Sequence, residues 1–299
     1  MQNSKYYLIG PTESVLTNRG TRFPDFANFL LEKGHLVVYY TSDFYHAEKR
    51  HFKREELISA KQKCKYLLYV IPVLGYSQNI STRRVVSNFW FSLGIFLKLL
   101  QKVRRNDCVI IPSRPVELIF FISLLGRIKR CRIYLDIQDI WPDALQISNQ
   151  QKRRLFTRYC EFFLKPSLKY YTSTFHVAPS FVYWLKRYAP QKSSTFLPLG
   201  WENDRWQNSL SYSASDDYVK LVCVAQLTYQ FDIMPIVGFL KSNPKYKLKI
   251  IGEDGKGERY PEVINYINLH GIENVSFIGK VPHEKMPDAL VVDDIGIVP

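Results

Sequence analysis

The sequence lacks several features that mark specialised classes of protein. Its five cysteines are scattered and form no CxxC pair, which argues against a zinc site or a disulfide framework. We therefore expect reduced, mostly buried thiols in a cytoplasmic protein. The six histidines show no metal-ligand spacing, so no metal site is expected. The amino terminus has no long apolar run of the secretion-signal type, and no segment repeats at a solenoid period.

Acidic residues are scarce in the first two thirds of the chain. Over residues 1–200, Lys and Arg outnumber Asp and Glu by 31 to 13, whereas residues 201–299 carry slightly more acidic than basic residues. Within a net charge of +14, this imbalance predicts an anionic partner for the first part only. Nucleic acid, a phospholipid surface and a phosphorylated substrate all qualify, although no RNP, helix-turn-helix or KH signature appears.

Short apolar runs alternate with helical patterns along most of the chain, which predicts an α/β fold with parallel sheets. The length of 299 residues suits two domains. We expect an N-terminal domain over residues 1–200, a polar, turn-rich linker over 201–218 and a second domain over 219–299. The second domain is expected to be incomplete, because no covering helix follows its last apolar strand.

The segment 132–144, RIYLDIQDIWPDA, gives the clearest indication of a site. Its apolar run ends at Gln138 and Asp139, as a buried strand does where it leaves a parallel sheet at the carboxyl end. Ligands of open α/β folds bind outside these ends, so Asp139 is the first catalytic candidate, with Gln138 beside it. The alternative is a strand end whose Asp caps the next helix.

Six motifs resemble, in their order, those of the GT-B glycosyltransferases. The match is to the retaining family numbered four, in the bacterial surface-polysaccharide subgroup that carries Asp-x-Trp-Pro. The motifs are FPDFANFLLEKGHLVVYYTS, LDIQDIWPDAL, LPLGWEND, KLKIIGEDGKGE, VSFIGKVPHEKMPDAL and VVDDIGIVP. The resemblance implies two Rossmann-like domains facing a cleft, the first for an acceptor and the second for a nucleotide-sugar. It also implies a C-terminally truncated chain, because the family's two glutamates spaced eight residues apart would follow Pro299.

The resemblance further implies retention of anomeric configuration, without a metal or another cofactor. A His that is common in the family is replaced by Gln138, so any acid–base or hydroxyl-binding role falls on Asp139. Two cations that hold the donor's diphosphate in many members are replaced by Gln226 and Phe231. Ordinary glycine-rich turns are the alternative for the loops expected to meet the donor. The expected donor-binding residues are Gly20, Gln226, Gly252, Glu253 and Lys256.

Basic clusters flank two long predicted helices, over residues 83–105 and 152–171. The first is too short and too polar to span a bilayer. We expect its apolar face to lie in the core and the basic clusters to contact an anionic membrane surface. The expected acceptor or membrane contacts are Arg19, Arg22, Arg104, Arg105, Arg153 and Arg154.

Three functional hypotheses follow from these patterns. The first is a glycosyltransferase that moves a sugar from a nucleotide-sugar donor to a lipid-linked or saccharide acceptor during capsule, O-antigen or exopolysaccharide assembly. It would work in the cytoplasm, at the inner face of the plasma membrane. The second is a truncated, catalytically silent remnant that binds only an acceptor or a membrane. Nucleic-acid binding, which rests on charge alone, ranks last and is not expected.

Overall fold

The structure, a computed structural model, describes most of the chain. The described residues are 4–17, 22–79, 81–145, 147, 149–200, 218–228, 231–255, 257–282, 285–290 and 295–298. The chain divides into two compact units, Met1–Gly200 and Trp201–Pro299. Apart from Tyr218, the predicted linker over residues 201–218 lies outside the described residues.

Unit 1 is built on a seven-stranded sheet in which every pair of neighbouring strands is parallel. The strand order is β5-β2-β1-β6-β7-β8-β9, so the order reverses between β1 and β6. A small antiparallel hairpin, β3–β4, follows β2. The strands are β1 Lys5–Ile9, β2 Leu36–Ser42, β3 Phe44–Tyr45, β4 Arg50–His51, β5 Leu67–Ile71, β6 Cys108–Pro112, β7 Arg132–Ile137, β8 Ser173–His176 and β9 Thr195–Phe196.

Helices cover both faces of this sheet, as its two-sided apolar strands require. One face packs against α1 and α2, and the opposite face against α3 to α6. The helix α4 lies between α3 and α5, which explains why its sequence is apolar on nearly every side. The helices are α1 Arg22–Glu32, α2 Arg54–Lys63, α3 Thr82–Lys102, α4 Val116–Lys129, α5 Gln150–Leu164 and α6 Phe181–Tyr188.

Unit 2 contains a second parallel sheet, of four strands in the order β12-β11-β10-β13. Its own apolar core joins the sheet to two helices. The elements are β10 Val219–Val224, α7 Met234–Lys241, β11 Tyr246–Ile251, α8 Tyr260–His270, β12 Val275–Gly279, α9 Met286–Ala289 and β13 Ile295–Gly296. The prediction of two parallel-sheet α/β units is therefore confirmed.

The structure differs from the predicted elements in unit 1. The helix predicted over residues 152–171 ends at Leu164, because Pro166 has no N–H to continue it, and a short 3-10 turn follows at Leu168–Tyr170. The hairpin β3–β4 and the helix α2 were not predicted at all. The prediction of mostly buried thiols is confirmed, since all five cysteines are free and four are buried.

One carboxylate lies inside the core of unit 1. Glu117, in the first turn of α4, is only 1% exposed. The Tyr159 hydroxyl donates a 2.5 Å hydrogen bond to its Oε1, while Oε2 has no hydrogen-bond partner among the described residues. Burial raises the pKa of Glu117 to about 6, and the Tyr159 hydrogen bond opposes that rise.

Replacing Glu117 with Gln should therefore stabilise the fold at neutral pH. The folded-state pKa lies above the ordinary value of 4.5, so the folded state binds the proton more tightly and stability falls as pH rises between 4.5 and 6. Above pH 6 the buried, ionised carboxylate lowers the free energy of unfolding by about 2 kcal/mol. Urea unfolding of Glu117→Gln should show a gain of up to about 2 kcal/mol at pH 8 and little gain at pH 4.5. Glu161→Gln, on the partly exposed face of α5, is the control and should show no pH-dependent gain. Equal stabilities of wild type and Glu117→Gln at pH 8 would refute the assignment.

Candidate active site

The reversal of strand order between β1 and β6 opens a crevice at the carboxyl edge of the unit 1 sheet. The loop after β1 enters it through Gly10, where an added Cβ would lie 2.1 Å from the Tyr39 hydroxyl oxygen. Because this position has no side chain, the Tyr39 hydroxyl can donate a 2.6 Å hydrogen bond to the carbonyl of Glu13. The loop is thus anchored directly above the strand ends.

A buried ion pair fixes the neighbouring strand end. Asp136, in β7, is fully buried and accepts hydrogen bonds from Arg22 Nε at 2.8 Å and Nη2 at 3.0 Å. The same guanidinium donates to the carbonyls of Leu197 and Pro198 at 2.9 and 2.8 Å. Gln138 Nε2 adds a 2.9 Å hydrogen bond to the Asp136 carboxylate. These contacts join the start of α1, the end of β7 and the segment after β9.

Asp139 lies at the exit from β7, as predicted from the end of the apolar run. Ser113 at the end of β6 holds its backbone: the Ser113 hydroxyl donates to the Asp139 carbonyl at 2.6 Å and accepts from the Asp139 N–H at 3.0 Å. Of its carboxylate oxygens, Oδ1 accepts from the Ile140 N–H, and Oδ2 lies 3.3 Å from Arg114 Nη1. The carboxylate remains 22% exposed, so one side is open to a ligand.

A shallow pocket at the strand reversal brings further polar groups together. Glu13, Arg114 and Gln138 line it, along with Gly10 and Pro112. Glu13 accepts a hydrogen bond from the Phe23 N–H at the start of α1. Burial nevertheless raises the pKa of the Glu13 carboxyl. The crevice therefore combines a carboxyl of raised pKa, an arginine and the open side of Asp139.

In unit 2, two predicted donor residues lie in adjacent loops. Gln226 follows β10 and is half-buried, and Gly252 follows β11 with a φ of +104°, near the Ala225 carbonyl. Glu253, predicted to bind the donor, is 2% exposed. Its carboxylate accepts from the N–H groups of Leu227 at 2.6 Å, Gly255 at 2.7 Å and Gly257 at 3.1 Å. This carboxylate organises the two loops instead of being open to a ligand.

Cations near these loops are paired with carboxylates. Arg259 bonds Asp232 at 2.5 Å and Glu262 at 2.8 Å, and Lys280 lies 2.7 Å from Asp254. Arg259 and Lys280 are therefore already matched by acidic side chains of the same unit. The predicted donor residues Gly20 and Lys256 lie outside the described residues.

The predicted acceptor and membrane arginines occupy different parts of unit 1. Arg22, predicted as an acceptor or membrane contact, forms the buried ion pair with Asp136. Arg104 and Arg105 are exposed just before β6, at the amino edge of the sheet. Arg153 and Arg154 are exposed in the first turns of α5, and Arg19 lies outside the described residues. The structure therefore does not join these arginines into one surface.

Three residues of this site were not predicted from the sequence: Glu13, Arg114 and Asp136. Glu13 and Arg114 each follow an apolar strand closely, as Asp139 does, and this position was a signal that could have identified them. Asp136 lies inside the apolar run, where an isolated acid predicts a buried, paired charge. Among the residues that the structure describes, no group of three His, Cys, Asp or Glu side chains has an arrangement able to hold a metal.

Comparison with known proteins rests on structure alone, since no family model and no curated protein sequence matches this chain. The E. coli trehalose-6-phosphate protein bound to UDP-2-fluoro glucose superposes with a TM-score of 0.63 at 9% identity, over 99% of this chain and 78% of that one. The fold is of the GT-B class. The lipopolysaccharide outer core galactosyltransferase WaaB gives 0.61 at 13% identity, over 97% and 72%. Anabaena HepE in complex with UDP-glucose gives 0.57 at 10%, over 95% and 71%.

Removing the buried charge at Asp136 should destabilise unit 1 strongly. Asp136→Asn leaves the Arg22 guanidinium, which is 10% exposed, without its counter-ion. Breaking a buried ion pair in this way lowers the free energy of unfolding by roughly 3–5 kcal/mol. Asp143→Asn breaks the exposed pair with Arg187 and should cost about 1 kcal/mol or less. Guanidinium unfolding of both variants tests the difference. Similar losses in the two variants would mean that the Asp136–Arg22 pair does not hold the strand end.

Proposed function

We propose that this protein is a glycosyltransferase that moves a sugar from a nucleotide-sugar donor to a saccharide or lipid-linked acceptor with retention of configuration. The observation that carries the proposal is the crevice of a GT-B fold in which Asp139, Arg114 and Glu13 converge. Capsule, O-antigen or exopolysaccharide assembly is the proposed setting. We also propose that the reaction needs no metal ion, so transfer should persist in EDTA.

Each crevice residue has a proposed role in that reaction. The open side of the Asp139 carboxylate would accept a hydrogen bond from an acceptor hydroxyl and orient it for transfer. Arg114 lies 3.3 Å from the Asp139 carboxylate and would supply positive charge to the crevice. Glu13, whose pKa is raised by burial, is suited to exchange a proton with a bound substrate. Gln138 is proposed to hold Asp136 in place beside them.

The donor is proposed to bind at the carboxyl ends of β10 and β11. The solved structures of similar fold include complexes with UDP-glucose and UDP-2-fluoro glucose, which supports a UDP-sugar as the first donor to test. The glycines after β11 and the half-buried Gln226 leave room for a close approach of the nucleotide. Backbone N–H groups of these loops other than the three that donate to Glu253 would stabilise the charge of the departing diphosphate.

Asp139→Asn should abolish most of the transfer while leaving the fold intact. The substitution keeps the side-chain shape but removes the acceptor charge, and loss of a positioned proton acceptor costs roughly 10²- to 10⁴-fold in rate. Transfer of radiolabelled sugar from UDP-, GDP- and TDP-sugars to membrane extracts measures the rate. Asp25→Asn, on the exposed side of α1, is the matched control and should retain full activity. Failure of the wild type with every donor would overturn the proposed reaction, and full activity of Asp139→Asn would overturn the role of Asp139.

A second candidate is a binding module without transfer activity. The observation that favours it is in unit 2, where Gln226 and Phe231 replace cations and Arg259 and Lys280 are paired with carboxylates. Calorimetric titration with UDP-glucose separates the candidates, because only a transferase must bind a donor.

A surface of α3 supports the proposed contact with a membrane. Val86, Trp90 and Leu97 are spaced to share one face of the helix, and they are 52%, 58% and 52% exposed. The opposite face, with Phe91, Ile95 and Leu99, lies in the core. The expectation that the apolar side of this helix is simply core thus holds for one face only. No described helix is long and apolar enough to cross a membrane.

We propose that this exposed α3 stripe lies in the headgroup region of an anionic membrane. The exposed Lys98, and Arg104 and Arg105 just beyond the end of the helix, would contact the lipid phosphates. Trp90→Ser combined with Leu97→Ser should reduce binding to phosphatidylglycerol vesicles about tenfold or more, because each large side chain contributes roughly 1.5–3 kcal/mol. Flotation of vesicles measures the bound fraction. Leu269→Ser, 75% exposed in unit 2, should bind like wild type. Unchanged flotation of the double variant would exclude the α3 stripe.

A further inference from the structure

A second pocket of unit 1 is not used by the crevice residues. It lies between the β3–β4 hairpin, the loop after β5 and the first half of α3. We call it the hairpin pocket. Its floor contains the aromatic rings of Phe44 and Phe91. Its polar lining is Thr12, Ser42, His46, Tyr76, Ser87 and Asn88.

A buried arginine that forms no ion pair with the described residues lies behind this lining. Arg84 is 8% exposed, and its guanidinium stacks over the rings of Tyr76 at 5.4 Å and Trp141 at 4.8 Å. Nη1 donates to the Asn79 carbonyl at 2.7 Å, whereas Nε has no hydrogen-bond partner among the described residues. Among the described residues, no carboxylate lies within ion-pair distance of it. Asp139 and Glu117 attract Arg84 from beyond ion-pair distance. An anion bound in direct contact with the guanidinium would stabilise this buried charge further.

The hairpin contributes a second cation in an unusual backbone conformation. Lys49 has a φ of +55°, in the left-handed region that favours glycine. Its Nζ donates to Asn79 Oδ1 at 2.6 Å and to His46 Nδ1 at 3.1 Å, and it lies 5.2 Å from the Tyr76 ring centroid.

The histidine at the tip of the hairpin is held as a neutral donor. Both Lys49 Nζ and the Tyr76 hydroxyl, at 2.7 Å, converge on Nδ1 of His46, so the ring proton lies on Nε2. Burial, then the charges of Lys49, Arg84 and Arg114, lowers the pKa of His46 to about 3. Burial and Arg84 lower the pKa of Lys49 to about 8. The local potential is therefore positive, and an anion would relieve it.

We propose that the hairpin pocket binds the phosphate or diphosphate group of the acceptor, through Arg84, Lys49 and His46. This inference rests on the proposed transferase function and assigns the acceptor's chemical class. Arg84, Ser87 and Asn88 share one face of α3 at i, i+3 and i+4, so hydroxyl and amide groups lie beside the buried cation. They are suited to bind the hydroxyls of a sugar attached to that phosphate.

The test uses inorganic pyrophosphate and the variant Lys49→Gly. Glycine relieves the left-handed strain, so the melting temperature should stay equal or rise while calorimetric affinity for pyrophosphate falls at least tenfold. Arg130→Gly is the matched control: Arg130 has a φ of +53° after α4, at the amino edge of the sheet. It removes the same charge and the same strain, and it should bind pyrophosphate like wild type. No binding by wild type, or an equal loss in Arg130→Gly, would overturn the proposal.

A direct readout comes from the imidazole of His46. Pyrophosphate should raise its pKa, followed by NMR, by more than one unit, because the bound anion offsets the charges of Lys49, Arg84 and Arg114. An unchanged His46 pKa under saturation would place the anion elsewhere and contradict the assignment. Farnesyl diphosphate and glucose 1-phosphate then distinguish the sources: tighter binding of the first indicates a lipid diphosphate, and tighter binding of the second a sugar phosphate. Pyrophosphate binding without any sugar transfer would refute the proposed transferase function but leave the anion site standing. Sugar transfer without pyrophosphate binding would refute the anion site but leave the transferase function standing.

Discussion

The ion pair between Asp136 and Arg22 is the constraint on which the geometry of unit 1 depends. A carboxylate with no solvent exposure must be matched by donors, and here one guanidinium supplies two of them while also holding the carbonyls of Leu197 and Pro198. The first helix, the fifth long strand and the end of the unit are therefore tied to a single charged group. Asp139, three residues further on, takes its position from that frame.

Much of this fold follows from the sequence because its strands are buried on both faces. Runs such as residues 108–111 and 133–135 are apolar without alternation, which identifies parallel strands covered by helices. The hairpin and α2 were missed because they carry no continuous apolar pattern. The hairpin is rich in aromatic and charged side chains, and REELISAKQK buries only Ala60, so neither segment shows a clear period.

The site was only partly predictable, because strand ends reveal which residues lie at an edge but not which ones meet. Asp139 was found by this rule, yet its partner Arg114 comes from another strand and depends on the strand order. Glu253 illustrates the limit in unit 2. In sequence, a glutamate in a glycine-rich loop resembles a ligand contact. The folded structure reveals that its carboxylate already accepts hydrogen bonds from three N–H groups of its own chain.

That occupied carboxylate has a consequence for the loops around it. The negative charge of Glu253 offsets the partial positive charges of the backbone amides that surround it. Gly257 lets the loop approach closely, because an added Cβ there would lie 2.3 Å from both Glu253 Oε2 and the Leu227 carbonyl oxygen. Leu227, Gly255 and Gly257 are thus held in place by one carboxylate before any ligand arrives. A ligand that contacts these three residues would lose little conformational entropy in ordering them.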